Sequence, residues 1–293
     1  ITNLSVSGTS NIGANVTTTG TQTYSGAVTV SAASTLSTTN SNVTLGDSLS
    51  LAENLSVNTG AGAGDILVAG AIDGVKALSL SAGTGVITLS GAVGQTTRLG
   101  TITLNSSGTT TLTQAVKAAG LTTNSGGTLL INGGGVDTTG TQTYGDAITL
   151  GADATLIGTT INTQSTLAGG GNALTITGAV DIDGAYTGIT NLSVSGTSNI
   201  GANVTTTGTQ TYVGAVTLSG GDRTLTGSTI NTQSTLAGGG NALAIAGAAD
   251  IDGALSGITN LSVSGTSNIG ANVTTTGTQT YTGAVILSGG DRT

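Results

Sequence analysis

The motif DIDGA occurs twice and places Asp181 two residues before Asp183, and Asp250 two residues before Asp252. A D-x-D-G string can open a calcium-binding loop. Two carboxylates about 7 Å apart on one face of a strand could also act as general acid and base on a polysaccharide. A full calcium loop needs further oxygen ligands and an acid near its end, and no acid follows Asp183 closely. We expect a solvent-facing turn, with these four aspartates as the calcium candidates.

The rest of the chain offers little to an enzyme. It has no His and no Cys, five Lys and Arg together, and five Tyr as its only aromatic residues. A site for a charged sugar needs cationic or aromatic side chains, and the DIDGA motif recurs in both copies of a repeat, as a scaffold residue would. The sequence therefore predicts no catalytic residue, no cofactor and no enzymatic activity, and a polysaccharide-active β-helix stays only as a third hypothesis.

Four of the five tyrosines follow the string TQT. They are Tyr24, Tyr144, Tyr212 and Tyr281. Their shared context predicts that each occupies an equivalent position, where the ring either packs at a corner or forms a lateral contact with a neighbouring copy. The TQT strings also invite comparison with ice-binding solenoids, but a flat ice-binding array needs such a motif far more often than every 68, 69 or 120 residues.

The elements that must position these residues belong to an internal repeat. The string ITNLSVSGTSNIGANVTTTGTQTY stands at 1–24, 189–212 and 258–281, and INTQSTLAGGGNAL stands at 161–174 and 230–243. The offset is 69 residues in the second half of the chain, so the near-identical long repeats are 141–208 and 209–277, with partial copies at 1–24 and 278–293. We interpret 1–293 as one continuous array and as an excerpt of a longer one.

Short alternating strings indicate strands rather than helices. Ile66–Ile72, Ile87–Val93 and Thr110–Val116 resemble one another at offsets of 21 and 23, and a second series interleaves with them. Rungs of about 23 residues, three to each long repeat, predict an all-β fold, a parallel β-helix (β-solenoid) shaped as an elongated rod. Val, Ile, Leu and Ala would point inward, with Thr, Ser, Asn and Gln outward. A string of β-sandwich domains and a disordered chain are the alternatives.

Glycine and proline usage agrees with this prediction. Runs of three glycines at 133–135, 169–171 and 238–240 suit sharp corners that need positive φ. The single glycine-aspartate string at 60–65 does not recur every nine residues, as a calcium-binding β-roll would require, and we interpret it as another corner. The absence of Pro suits strands that are hydrogen-bonded on both edges.

Composition and charge limit the possible partners. Net charge is −8 at pH 7 and only 6% of residues are charged, which argues against nucleic acid and anionic membranes. No apolar run approaches the roughly 18 residues needed to cross a bilayer. The absence of Cys excludes disulfides and thiolate metal sites. Asn-x-Ser/Thr strings are frequent, but stacked asparagines at solenoid corners are a simpler use of them than glycosylation.

The strings TTGTQTYSGAVTVSA at 18–32 and ITLSGAVGQTTRLGTITLNSSG at 87–108, together with the two-tier repeat, resemble the repeat regions of large bacterial surface exoproteins. These are the filamentous-haemagglutinin-like, two-partner-secreted adhesins and their β-strand-repeat relatives. The resemblance covers the whole chain in style rather than in a specific motif. It implies a β-helix shaft, export to the cell surface, and a role in adhesion, biofilm or filament formation.

Together these features predict a structural extracellular shaft or filament on a bacterial cell surface. Its expected partner is a second copy, joined end to end or laterally, and a surface glycan or a host or matrix receptor is the other candidate. The alternative function is a binding module whose Thr-rich face recognises a glycan or ice.

Overall fold

A computed structural model, which describes residues 1–291, is all-β, with no helix in that range. Its strands pair in parallel and stack in about 15 turns, with rungs about 19 residues apart, so the predicted β-solenoid is confirmed. The chain divides into two units, residues 1–154 and 155–293. Arg292 and Thr293, which end the predicted partial copy 278–293, lie outside the described residues.

The strands of the first unit are β1 (Leu4–Val6), β2 (Ser10–Ile12), β3 (Val16–Thr17), β4 (Gln22–Tyr24), β5 (Val28–Val30), β6 (Ser34–Ser37), β7 (Val43–Leu45), β8 (Leu49–Leu51), β9 (Leu55–Asn58), β10 (Ile66–Val68), β11 (Ile72–Asp73), β12 (Leu78–Gly83), β13 (Ile87–Leu89), β14 (Leu99–Ser106), β15 (Thr109–Leu112), β16 (Val116–Thr123), β17 (Thr128–Ile131), β18 (Gly135–Thr138), β19 (Gln142–Tyr144) and β20 (Ala147–Leu150).

The strand β21 (Ala154–Thr163) follows, and the remaining strands are β22 (Leu167–Ala168), β23 (Leu174–Ile182), β24 (Tyr186–Ile189), β25 (Leu192–Val194), β26 (Ser198–Ile200), β27 (Val204–Thr206), β28 (Thr209–Tyr212), β29 (Val216–Leu218), β30 (Arg223–Thr232), β31 (Leu236–Ala237), β32 (Leu243–Ile251), β33 (Leu255–Ile258), β34 (Leu261–Val263), β35 (Ser267–Ile269), β36 (Val273–Thr275), β37 (Gln279–Tyr281) and β38 (Val285–Leu287).

Alternation within each short strand forms a thin core. In β5, Val28 and Val30 are buried and Thr29 between them is exposed, as expected when successive side chains point to opposite faces of a strand. The same alternation places Val, Ile and Leu inside along nearly every strand. The predicted inward position of Val, Ile and Leu is thus confirmed, whereas the outward position predicted for Gln is wrong at Gln22, Gln142 and Gln210, which are fully buried.

Each rung of the first unit contributes one strand to each of three parallel stacks. The first stack runs through β1, β4, β7, β10, β13, β15, β17 and β20. The second runs through β2, β5, β8 and β11 to the start of β16 and β18. The third runs through β3, β6, β9, β12, β14, the end of β16 and β19.

The second unit also has three stacks. The first contains β22, β24, β27, the beginnings of β30 and β32, then β34 and β37. The second contains β25, β28, the ends of β30 and β32, then β35 and β38. The third contains the end of β23, then β26, β29, β31, β33 and β36. Long strands such as β32 therefore continue around a corner.

Rung length differs between the regular repeats and the middle of the chain. Val43 pairs with Ile66 at the expected offset of 23 residues, whereas Leu192 pairs with Gln210 at an offset of 18. In the repeats a strand and its corner together take about six residues, so three of them close a rung. Between residues 58 and 100 the corners are longer, as at 59–65 and 94–98, and these insertions account for the 23-residue period.

The 69-residue repeat does not contain a whole number of rungs. From β25 to its copy β34 the chain advances eleven strand positions, because β30 and β32 each supply two. At three positions per rung, one repeat makes three and two-thirds turns. The expectation of three rungs per repeat is therefore wrong, and a residue and its copy lie on different faces of the second unit.

Candidate functional site

Asp181 and Asp250 tie neighbouring rungs together through their side chains. Asp181 occupies a partly exposed position on β23 beside Asn199 on β26, and its Oδ1 accepts a 2.7 Å hydrogen bond from Nδ2 of Asn199. In the next copy, Asp250 accepts the same bond from Asn268 at 2.8 Å. Hydrogen bonds to a charged acceptor are among the stronger ones. The first aspartate of each DIDGA motif thus links two rungs.

The second aspartate of each motif faces solvent. Asp183 and Asp252 are exposed at the turns that follow β23 and β32. Local desolvation, and secondarily the negative charge of Asp181, raises the pKa of Asp183 above its ordinary value.

One buried amide oxygen accompanies each motif. Asn231 pairs with Asp250, and Asn162 takes the equivalent place in the preceding copy; Oδ1 of both asparagines is buried without a hydrogen-bond partner. A carboxylate and an amide oxygen are ligands that calcium accepts, but it takes six to eight oxygens. Within residues 1–291 no three His, Cys, Asp or Glu side chains gather where they could hold a metal. Each motif therefore supplies a partial ligand set.

Three of the four predicted contact tyrosines lie inside the coil. Tyr24, Tyr144 and Tyr212 are 3%, 0% and 0% exposed, and burial raises the pKa of Tyr24 and Tyr212. Each hydroxyl donates to Oε1 of the glutamine two residues earlier, at 3.3, 2.7 and 2.9 Å. Tyr281 makes the same bond at 3.0 Å but is only half-buried. Of these four rings, Tyr281 alone reaches the surface appreciably.

These tyrosines close a nine-residue segment that we call the corner cassette. It comprises residues 16–24, 136–144, 204–212 and 273–281, with the pattern V-x-T-T-G-T-Q-T-Y. In the third copy, Nε2 of the buried Gln210 donates to the carbonyls of Val204 and Thr226 at 3.1 and 2.8 Å. Oγ1 of Thr206 donates to the carbonyl of Gly208 at 2.9 Å. Most polar groups of the cassette are thus satisfied within two rungs.

The cassette fits more than one corner. In the first unit, residues 16–24 lead from the third stack to the first, and residues 136–144 lead from the second stack to the third. In the second unit, residues 204–212 lead from the first stack to the second. The expectation that all four tyrosines occupy one equivalent rung position is therefore corrected: the local geometry is shared, but the face is not.

Asparagine side chains hold other corners in place. Oδ1 of Asn3, Asn54 and Asn191 accepts a backbone N–H from the next rung at 2.8, 2.9 and 2.9 Å. All three begin Asn-x-Ser strings, so their amides serve the predicted ladders between rungs. Asp65, at the end of the predicted corner 60–65, does the same for the N–H of Val86 at 2.8 Å.

The few cations are also used locally. Lys76 forms an ion pair with Glu53 at 3.1 Å and Arg98 one with Asp137 at 2.7 Å, each about one-third exposed. Arg223 donates to the carbonyls of Ile200, Ser219 and Asp222 around one corner. These three cations bond to groups on neighbouring rungs and do not form a positively charged surface patch.

Asp146 is a buried carboxyl that the sequence did not single out. It is 1% exposed; Oδ1 accepts the N–H of Gly127 at 2.8 Å, and Oδ2 is buried without a partner. Loss of solvation raises its pKa, although the N–H of Gly127 and the nearby hydroxyl of Thr123 act in the other direction. The residues at the corresponding position of four earlier rungs, one or two positions before the strand, are glycines: Gly64, Gly85, Gly108 and Gly127. An aspartate in a position that is glycine in the four preceding rungs is the sequence feature that could have identified Asp146.

We expect Asp146→Asn to change how stability depends on pH. The folded state holds its proton more tightly than an unfolded carboxyl, whose pKa is near 3.8, so the free energy of unfolding falls as pH rises through this range. The amide keeps an oxygen for Gly127 but cannot ionise. Thermal unfolding followed by circular dichroism from about pH 3 to about pH 7 should show wild type losing stability relative to the variant. Asp47→Asn, at an exposed position, is the control and should leave the pH dependence of stability unchanged. The same pH dependence in wild type and Asp146→Asn would contradict the prediction.

Outward positions of the first unit form columns along each stack. In its third stack one column carries hydroxyls in six successive rungs, of which only the last three are threonines in succession: Thr35, Ser56, Ser79, Thr103, Thr122 and Thr143. Its first stack presents another such column, in which two leucines interrupt the hydroxyl-bearing residues: Ser5, Thr23, Thr44, Leu67, Thr88, Thr111, Leu130 and Thr149. A shallow groove of about 340 Å³ crosses β6, β9, β12 and β14 and is lined mostly by Ala, Ser and Thr. None of these surfaces carries a charged or aromatic side chain that would orient a ligand.

In the part of the chain that the structure describes, no helix is long and apolar enough to span a membrane. No family model, curated protein or solved structure matches the chain.

Proposed function

We propose that this chain is a structural segment, an extracellular β-solenoid shaft or filament of a bacterial surface protein that supports adhesion, biofilm formation or self-assembly. The observation that carries the proposal is the rotation of the repeat around the coil. A protein that binds a ligand through one face keeps the same residues on that face. Here, three and two-thirds turns per repeat move each outward residue to another face in the next copy.

The use of the polar side chains supports the same proposal. The side chains with the most chemistry, the DIDGA aspartates, the cassette glutamines and tyrosines, and the corner asparagines, bond to adjacent rungs. Because each rung is tied to its neighbours, stability in such arrays grows with the number of rungs. A shaft requires this property, whereas a catalytic or binding site requires polar groups that remain free.

The location on the cell surface and the partner follow from the resemblance described above and remain part of the proposal. The expected partner is a second copy of the chain. Contacts between two copies do not require a ligand pocket. A glycan or a host receptor would instead be held by other parts of the protein to which such a shaft belongs.

The test combines location with binding. An antibody against the purified chain should label intact, unpermeabilised cells of its source. The chain itself should bind neither a panel of neutral and acidic glycans nor ice, the latter measured by inhibition of recrystallisation. Label only after permeabilisation would overturn the surface proposal. Specific binding that is lost when Thr88 and Thr111 are replaced with lysine would make the chain a binding module.

An exact-repeat deletion gives a sharper comparison. Removing residues 209–277 leaves a native junction, because TQTY begins both the deleted segment and the sequence after it. A shaft would fold as before with three and two-thirds fewer turns. If a binding activity of the second unit were found, its loss in this deletion, which preserves every local motif, would argue for recognition by one fixed face.

A further inference from the structure

We infer that Asn132 is a site of spontaneous deamidation, a chemical modification built into one corner of the first unit. Asn132 follows β17 and precedes the three-glycine corner that leads to β18. It stands in the single Asn-Gly dipeptide of the sequence, and every other asparagine is followed by a residue with a side chain. A following glycine leaves the asparagine side chain most open to attack by the backbone.

The groups that react are free in the folded protein. The side chain of Asn132 is exposed, and neither its amide nor the N–H of Gly133 has a hydrogen-bond partner among the described residues. The corner asparagines Asn3, Asn54 and Asn191 differ, because each side chain accepts a backbone N–H from the next rung. Asn132 therefore combines the most permissive neighbour with an exposed side chain that no hydrogen bond holds.

The fold itself requires the glycine that makes Asn132 labile. A Cβ on Gly133 would lie 2.0 Å from the carbonyl carbon of Gln114 in the rung before, so only glycine fits there. Gly134 and Gly135 follow with φ of +79° and +138°, a conformation that favours glycine. Gly133 therefore allows both the close packing of this corner and the reactivity of Asn132. Replacing Gly133 to slow the deamidation would also disrupt the packing.

The reaction balances with water as the only co-reactant. The amide nitrogen of Gly133 loses its proton and attacks Cγ of Asn132, forming a carbon–nitrogen bond. The bond from Cγ to Nδ2 breaks, and Nδ2 leaves as ammonia, which yields a cyclic imide. Water then opens the imide at either carbonyl, giving aspartate or isoaspartate. Each event adds one negative charge, and isoaspartate also adds a methylene to the main chain.

The product changes a corner that is held on both sides. The N–H of Asn132 bonds to the carbonyl of Leu112 at 2.9 Å, and the N–H of Gly151 bonds to the carbonyl of Ile131 at 2.9 Å. Because the added methylene lies directly after this anchored peptide unit, the longer main chain must loosen the glycine corner that follows. We therefore expect faster hydrogen exchange at residues 133–136 in the isoaspartate form, while the flanking strands keep their protection.

The test follows the amide in the intact folded chain. The protein is incubated in mildly alkaline buffer, digested and mapped by mass spectrometry, with isoaspartate identified by enzymatic methylation. Loss of the amide should appear at Asn132 before any other asparagine. The mass change separates this site from Asp73, Asp183 and Asp252, which also precede glycine but isomerise without a change in mass.

Two controls decide the outcome. Asn132→Thr, which places there the residue found one rung earlier at Thr113, should abolish the modification while the circular dichroism spectrum stays unchanged. Wild type in denaturant reports the unrestrained rate. Loss of the amide at Asn132 no faster than at Asn54, or loss that occurs only in denaturant, would overturn the inference.

Discussion

Replacing Tyr212 with alanine is expected to lower the free energy of unfolding of the second unit by about 4 kcal/mol, in the range found for truncation of large buried side chains. Tyr212 is 0% exposed and is among the largest fully buried side chains of this chain. Apart from Tyr186, the other fully buried ring of the second unit, the apolar core there is built from Val, Ile, Leu and Ala. Truncation of Tyr212 would therefore leave a cavity in a closely packed interior. Chemical denaturation followed by circular dichroism would measure the loss.

The ring also carries a polar connection that alanine would break. The hydroxyl of Tyr212 donates to Oε1 of Gln210 at 2.9 Å, and Gln210 is itself fully buried. Tyr212→Phe keeps the ring and removes only this donor, so it should cost about 1 to 3 kcal/mol, the usual penalty for a buried acceptor left without a partner. The difference between the two variants separates the packing of the ring from its hydrogen bond.

Tyr281 provides the matched control within the same sequence context. It closes an identical corner cassette and donates to Gln279 at 3.0 Å, but it is half-buried and Gln279 is exposed. Tyr281→Ala should therefore cost less than half as much as Tyr212→Ala. Equal losses at the two positions would mean that burial of the ring does not determine the cost of its removal.

The tyrosines also show what the sequence could and could not predict. The repeated TQTY string correctly indicated a shared local environment, because the cassette is a local structure. It could not indicate which face each copy occupies, because the face depends on how many residues every intervening corner contains. Six-residue steps in the repeats and longer corners in the middle of the chain differ by only a few residues. Yet those few residues decide whether a repeat contains three turns or three and two-thirds.

Strand identity was predictable for a different reason. The alternation of apolar and small polar residues has a period of two, and each short string carries it independently, so errors in rung length do not affect it. The glycine runs at 169–171 and 238–240 likewise predict corners. The corner glycines with positive φ are Gly170, Gly171, Gly239 and Gly240.

Residues whose role depends on the rung above or below were missed. Asp146 is an ordinary turn residue in the sequence and becomes a buried carboxyl only because it continues a column of glycines. The spacing of Asp181 to Asp183 suggests a calcium loop, whereas the direct partner of Asp181 is Asn199, one rung further. Contacts between rungs join residues about 19 positions apart, a distance over which no local motif reports.

Single glycines that stack from rung to rung belong to the same class, and Gly247→Ala is expected to be among the most damaging small substitutions in the second unit. A Cβ at Gly247 would lie 1.8 Å from the carbonyl oxygen of Gly227 in the rung before, and φ of Gly247 is +151°. The carbonyl of Gly247 in turn accepts the N–H of Gly265 at 2.8 Å. A methyl group would therefore push three consecutive rungs apart at one corner.

The expected cost of Gly247→Ala is about 4 kcal/mol, because backbone strain and steric overlap at a close-packed position each contribute about 1 to 3 kcal/mol. Gly240→Ala is the control, since Gly240 also has a positive φ, +84°, but no atom lies within 4 Å of its added Cβ. It should cost about 1 to 2 kcal/mol, the strain of the left-handed conformation alone. Chemical denaturation of both variants separates the two contributions. Equal losses would mean that the rungs at this corner do not approach as closely as the stacked glycines require.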